Sequence, residues 1–189
     1  MKSLLEQLEG YTPWNEQEER DRAVLLSMLR SGQDLWTREN ETAHLTASAW
    51  VTDPTRTKVL MCYHNIYDSW SWLGGHADGD RDLLAVALRE VGEESGLTSV
   101  RPVSENLFSL EILTVDGHEK RGRYVPSHLH LNVTYLLEAD DAEPLAIKPD
   151  ENSAVGWFGL AEAVAVSSEP WFRERIYAKL NAKLRARVN

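Results

Sequence analysis

The segment Gly74 to Leu97, GGHADGDRDLLAVALREVGEESGL, constrains this chain more than any other. Residues 82–95 repeat apolar side chains at helical spacing: Leu83, Leu84, Ala87, Leu88 and Val91 share one side, and Gly96 follows as a C-terminal stop. At about 100° per residue, Glu90, Glu93 and Glu94 fall within an arc of roughly 100° beside that stripe. The helix can pack through one face and present three carboxylates together. Like charges so spaced repel by about a few tenths of a kcal/mol per pair. They become favourable around a hard divalent cation, because Mg²⁺ and Mn²⁺ prefer oxygen donors. A solvated acidic face, with Arg89 paired to Glu93, is the plainer alternative that spacing alone leaves open. Gly74, Gly75 and Gly79 favour the cation, since a glycine-rich backbone can approach a ligand closely.

The rest of the chain reads as one soluble α/β (α+β) domain. It has 189 residues, against roughly 150 for a typical domain. Thr12 and Pro13 suit a helix start, Glu16, Glu18 and Glu19 load its first turn, and Gly32 suits its end. Residues 44–51, 58–64, 69–73, 107–115 and 128–138 are β-rich runs, and Ala154 to Phe158 is a weaker one. Leu160 to Val166 suits a short helix, and Ser168-Glu169-Pro170 opens a last helix to about Val188. We expect an N-terminal helical extension, residues 1–41, packed on a domain of residues 42–189.

Charge narrows the function. Thirty acidic against twenty basic residues give −10, which argues against an extended nucleic-acid partner, because coating a phosphate backbone needs a basic face. No apolar run is long enough for a membrane span. The first residues lack an apolar signal core, and one cysteine, Cys62, allows no intrachain disulfide; both fit the cytoplasm.

The segment Gly75 to Leu97 resembles the Nudix box: Gly, five residues, Glu, seven residues, Arg-Glu, an aliphatic residue, any residue, Glu-Glu, any residue, Gly, aliphatic. Gly75, Arg89, Glu90, Val91, Glu93, Glu94, Gly96 and Leu97 agree at the correct spacing. Arg81 departs, standing where the family has its first Glu. Either a neighbouring aspartate substitutes or the site is altered; Asp82, sharing a helical face with Arg89, is the expected partner. The resemblance implies an α/β/α sandwich with a mixed sheet and Mg²⁺-dependent (or Mn²⁺-dependent) hydrolysis of a diphosphate bond in a nucleoside diphosphate linked to another moiety. By the family pattern Glu90, Glu93 and Glu94, with the Gly75 carbonyl, would hold the metal. Glu93 or Glu94 would orient the attacking water, and Glu151, in a late loop, is a further base candidate. Two rivals stand behind this reading. One is a non-catalytic ligand-binding or regulatory module on the same fold, favoured by Arg81. The other is an isoprenoid diphosphate isomerase, which would need a reactive Cys62.

Several residues outside the box are substrate-binding candidates. Period two puts His128, His130, Asn132 and Thr134 on one strand face, lining a cleft, with Leu129, Leu131, Val133 and Tyr135 opposite. Two histidines at i,i+2 suit a transition metal, but the sequence shows no third soft ligand. His76 lies inside the box loop. Lys120, Arg121 and Arg123 form a local basic cluster, read either as a solvated loop or as a phosphate contact through Arg123. Trp70 and Trp72 share a face, for core packing or for stacking on a base. The basic last helix, including Lys179 and Lys183, reads as a solvated face or as a homodimer contact with the acidic N-terminal helix.

Overall fold

The computed structural model describes residues 2–120 and 122–188, without the side chains of residues 120 and 188. Its centre is a mixed sheet built around one parallel pair. Strand β1 (Ala43–Thr52) runs parallel to β9 (His128–Glu138) through ten residue pairs, from Ala43↔Leu129 to Thr52↔Glu138. On its other edge β1 is shared: β4 (Leu73–His76) pairs with its middle, and β2 (Lys58–His64) meets it at Thr52↔Val59. The outer strands are β10 (Asn152–Gly159) and β3 (Ser69–Ser71) on β2, and β6 (Ser109–Val115) and β5 (Arg101–Pro102) on β9. The short hairpin β7 (His118–Lys120) and β8 (Arg123–Val125) stands apart.

Alternation along β1 and β9 divides the interior in two. Leu45, Ala47, Ala49, Leu131, Val133 and Tyr135 join Leu83, Val86, Ala87 and Val91 of α3 (Leu83–Ser95) in one core. Trp50, Met61, Trp72 and Leu136 join a second core with α4 (Leu160–Val166) and the C-terminal helix α5 (Ala178–Val188). A π-helical turn, Phe172–Tyr177, leads into α5 and stacks Tyr177 on Trp50, with ring centroids 5.4 Å apart. Trp72 meets the same tyrosine edge-on and Trp70 meets Phe158 edge-on, so both tryptophans serve packing rather than base stacking.

The N-terminal region differs from its expectation. The helix α2 (Glu16–Arg30) starts after Asn15, whose side chain accepts from the Glu18 N–H, so Thr12 is not the cap. A further helix, α1 (Leu4–Gly10), precedes it, closed by reciprocal hydrogen bonds between Ser3 and Glu6. Leu4, Leu8, Leu25 and Leu26 enter the same core as the sheet.

The face of β1, β9 and β6 opposite α3 is polar in its middle and buried. Thr46 and Ser48 donate to the Asn132 amide oxygen, each at 2.9 Å, and the Asn132 amide nitrogen donates to Glu111 at 3.0 Å. Glu111 then accepts from Lys179 at 2.8 Å. Glu18 of α2 accepts from Lys183 at 2.7 Å and lies 3.2 Å from Lys179. Two carboxylates and two ammonium groups thus neutralise one another out of water. Burial alone would raise the Glu18 carboxyl, but Lys179 and Lys183 outweigh it and hold the group below its usual range. These lysines correct the reading of the last helix as a solvated face: their charge is matched to the acidic α2 within one chain.

Removing one partner of a buried pair leaves the other charge uncompensated. Glu18→Gln is expected to cost about 3–5 kcal/mol. Melting curves should show this as a fall of roughly 6–20 °C in Tm; an unchanged Tm would show that the network holds nothing together.

Candidate active site

Helix α3 forms because Asp82 caps it, accepting from the Ala85 N–H at 3.0 Å, and it ends because Gly96 turns left-handed at φ 74°. Between these stops Glu90 and Glu94 meet β4, and Glu93 meets Lys148 of the loop before β10. Glu94 is almost fully buried and its Oε2 accepts from the Gly74 N–H at 2.9 Å. Glu90 packs on Gly75, where an added Cβ would come within 2.7 Å of its Oε2. Only a residue without a side chain leaves room for that carboxylate. Glu93 is the most open of the three and bonds Lys148 at 2.8 Å, while Lys148 reaches Glu151 at 3.0 Å. The loop is pinned by buried Asn152, whose side chain donates to the Glu94 carbonyl at 2.9 Å and accepts from the Lys148 N–H at 3.1 Å. The structure therefore brings Gly75, Glu90, Glu93, Glu94 and Glu151 together. Lys148, in an irregular loop, and Asn152, at the irregular start of β10, hold the arrangement and were silent in the sequence.

The electrostatics suit a hard cation. Burial pushes the Glu94 carboxyl up to about 8, with Glu90 and Glu151 adding to the rise. Glu90 is also raised, first by burial and then by Glu93. Oxygen donors alone, two of them in need of positive charge, and a backbone without a side chain at Gly75 fit Mg²⁺ or Mn²⁺. Residues Glu90, Glu93 and Glu94 would hold such an ion.

The Arg81 departure is absorbed locally. Arg81 lies over the Trp36 ring, 4.4 Å from its centroid. Arg89 lies 3.4 Å from Asp80, 3.5 Å from Glu90 and 4.0 Å from Glu93, and not against Asp82, whose side chain is committed to the helix cap. Asp80, rather than Asp82, is the neighbouring aspartate within reach of Arg89.

The open end of the polar sheet face is a histidine cluster. His44↔His130 are in register across β1 and β9, and His76 closes on them from β4. The Nε2 atoms of His76 and His128 each lie 3.2 Å from that of His130. The ring of His130 is pushed down to about 2, first by burial and then by its histidine neighbours. These rings line a cleft of about 260 Å³ with Arg38, His64, Tyr67, His118 and Tyr124. His76 follows Gly75 directly, but alternation along β4 puts the two on opposite faces of the sheet, and none of Glu90, Glu93 and Glu94 is in the wall of this cleft. A larger cavity, about 470 Å³, lies between α1 and the start of α3, with Arg81 and Asp82 in its wall, but none of Glu90, Glu93 and Glu94 reaches it.

Two expectations change here. Asn132 is fully buried and its amide is saturated by Thr46, Ser48, Glu111 and Thr134, so it does not reach the cleft. Arg123 is exposed at the hairpin tip, while its neighbours Tyr124 and Val125 line the cleft in its place. Arg121 of the basic cluster lies outside the described residues. Cys62 is a buried hydrophobe whose thiol, raised mainly by burial, faces Glu94 at 4.0 Å. His44, missed in the sequence, showed the same period-two pattern with Thr46 and Ser48 that marked β9.

A carboxyl raised in the folded state stabilises the fold when protonated, so its contribution is complete below its ordinary value of 4.5 and is lost as pH rises towards 8. In chelator, Glu94 should therefore lower the melting temperature progressively between pH 5 and 8, a slope that the lowered His130 opposes with the reverse sign. Glu94→Gln should flatten that slope and gain about 2–4 °C at pH 8 for each kcal/mol recovered; a steeper slope in the variant would refute the assignment.

The comparisons with known proteins bear on the family and the fold. The sequence model of the NUDIX domain matches residues 42–180. A Caenorhabditis elegans Ap4A hydrolase superposes with TM-score 0.54 at 18% identity, covering 76% of this chain and 96% of that one. A NUDIX-family hydrolase from Clostridium perfringens gives 0.51 at 19%, covering 76% and 97%. The Escherichia coli dihydroneopterin triphosphate pyrophosphohydrolase gives 0.52 at 16%, covering 71% and 92%. No curated protein matches the chain in sequence. With a family match over most of its length and the box residues gathered at one site, the chain belongs to the Nudix family of acid-anhydride hydrolases.

Proposed function

We propose that this protein is a cytoplasmic, Mg²⁺-dependent hydrolase that cleaves a diphosphate bond in a small nucleotide-like substrate. The observation that carries the reading is the convergence of Glu90, Glu93, Glu94 and Glu151 near the bare backbone of Gly75. A cation bound there supplies charge neutralisation at the phosphate oxygens and lowers the pKa of water. The protein's part is positional. Gly74 holds Glu94 through its N–H, and Gly75 leaves room for Glu90. Glu93 and Glu151 flank Lys148, so either carboxylate is placed to accept a proton from an attacking water once the ammonium moves aside.

The cleft supports a nucleotide-like ligand. Tyr67 and Tyr124 are large exposed aromatics on its wall, suited to stacking on a base. His76, His128, His130 and Arg38 offer polar contacts. The similar structures are named for Ap4A and dihydroneopterin triphosphate, which makes polyphosphate esters the first compounds to try. Against the non-catalytic reading, Asp80 lies within reach of Arg89 although the box Glu is missing. The isomerase reading needs a reactive thiol, and the burial that raises Cys62 opposes one.

Phosphate or nucleoside monophosphate release should be measured over dinucleoside polyphosphates, nucleoside diphosphate sugars and nucleoside triphosphates with Mg²⁺. At least one class is expected to turn over, and Glu94→Gln should lower its kcat by at least about 10²-fold, the scale of losing one preorganised electrostatic group. An unchanged kcat in that variant would overturn the mechanism.

A further inference from the structure

The histidine cluster has a property that substrate contact does not explain. One ring nitrogen from each of His44, His76 and His130 lies within 4.8 Å of the other two. His44 is 4% exposed, and its Nε2 is buried with no hydrogen-bond partner among the described residues. Its Nδ1 lies 3.1 Å from the Asn40 carbonyl, which can only accept, so Nδ1 carries the proton and Nε2 presents a bare lone pair. His128 is fixed in the same way, with Nδ1 2.8 Å from the Pro126 carbonyl and Nε2 facing His130. Protonating every ring would aim N–H groups at one another across 3.2 Å. Each close pair therefore needs at least one acceptor nitrogen, and with the bare Nε2 of His44 these acceptors gather in one place, which suits a cation.

We infer that His44, His76 and His130 form a second metal site, for a borderline divalent ion such as Zn²⁺, separate from the carboxylate centre. Bonds of 2.0–2.1 Å in a tetrahedral site place ligand nitrogens about 3.3 Å apart. The His76–His130 separation of 3.2 Å already has that spacing. A backbone carbonyl holding the far nitrogen of a ligating ring, as Asn40 does for His44, is the usual outer-sphere support of such a ligand. Imidazole donors favour zinc over magnesium, whereas the carboxylates on α3 have the opposite preference, so the two sites would sort their ions by chemistry. Three protein ligands leave a fourth position, and the rings line the 260 Å³ cleft from which water or a ligand can reach it. The inference stands on this geometry whether or not the chain hydrolyses a diphosphate.

The test uses the full, tag-free chain, stripped with chelator and dialysed against Zn²⁺ in excess Mg²⁺, with bound zinc measured by elemental analysis. One zinc per chain is expected in the native protein and equally in Glu90→Gln with Glu94→Gln. His76→Gln and His130→Gln, at half-buried positions, should each weaken zinc binding by more than the about 10–100-fold that outer-sphere changes cost. Zinc should also raise the Tm of the native chain and not of those variants. Absence of retained zinc in the native chain overturns the proposal without reference to any variant. So does retention unchanged in both histidine variants, or loss of zinc in the carboxylate variant.

Discussion

The parallel register of β1 on β9 is the constraint from which the site follows. Fixing Thr46 opposite Asn132 also fixes His44 opposite His130 and Ser48 opposite Thr134. A slip of one residue would turn every polar side chain on that face into the apolar core against α3. The register is held from both faces: Leu45, Ala47, Leu131 and Val133 must meet the helix, and the Asn132 amide must find two hydroxyl donors and one carboxylate. Stability and site geometry are thus set by the same pairing.

The carboxylates of α3 show how a helix can carry groups that work against its own stability. Glu94 contributes no solubility, since it is buried, and its one backbone donor does not offset the desolvation that raises it. Glu93 has an ammonium partner, Lys148, in the place where a cation would otherwise screen it. The helix tolerates these groups because Leu83, Val86, Ala87 and Val91 anchor its other side and a defined cap closes each end. Of the net charge of −10, the part that matters chemically is confined to this one cluster.

Much of the frame was legible from periodicity. Residues 128–138 and 160–166 form the strand and helix that their spacing implied, and α3 begins one residue after the expected start because Asp82 serves as its cap. The box carboxylates were readable because one helix carries all three. Helix α1 was equally legible, through the Ser3-to-Glu6 capping box, but its shortness hid it. What could not be read were relations across distant segments. His44 and His130 are neighbours only through a parallel pairing, and no local pattern announces which strands pair. Lys148 and Asp80 act from loops, where spacing carries no direction. Asn132 had the correct face but the wrong depth, because alternation assigns a side and says nothing about how far along that side water reaches.

The Glu18–Lys183 contact joins residues 165 positions apart. It closes almost the whole chain into a loop, and the entropic cost of doing so grows only slowly with length, so separation is affordable thermodynamically. The kinetic consequence is different. During synthesis the N-terminal helices emerge long before the lysines that neutralise Glu18, and until α5 arrives that carboxylate has no cation to be buried with. Neither α2 nor α5 has its buried charge matched until the other is in place. The buried charge network therefore couples two helices far apart in sequence, so that each is seated only with the other.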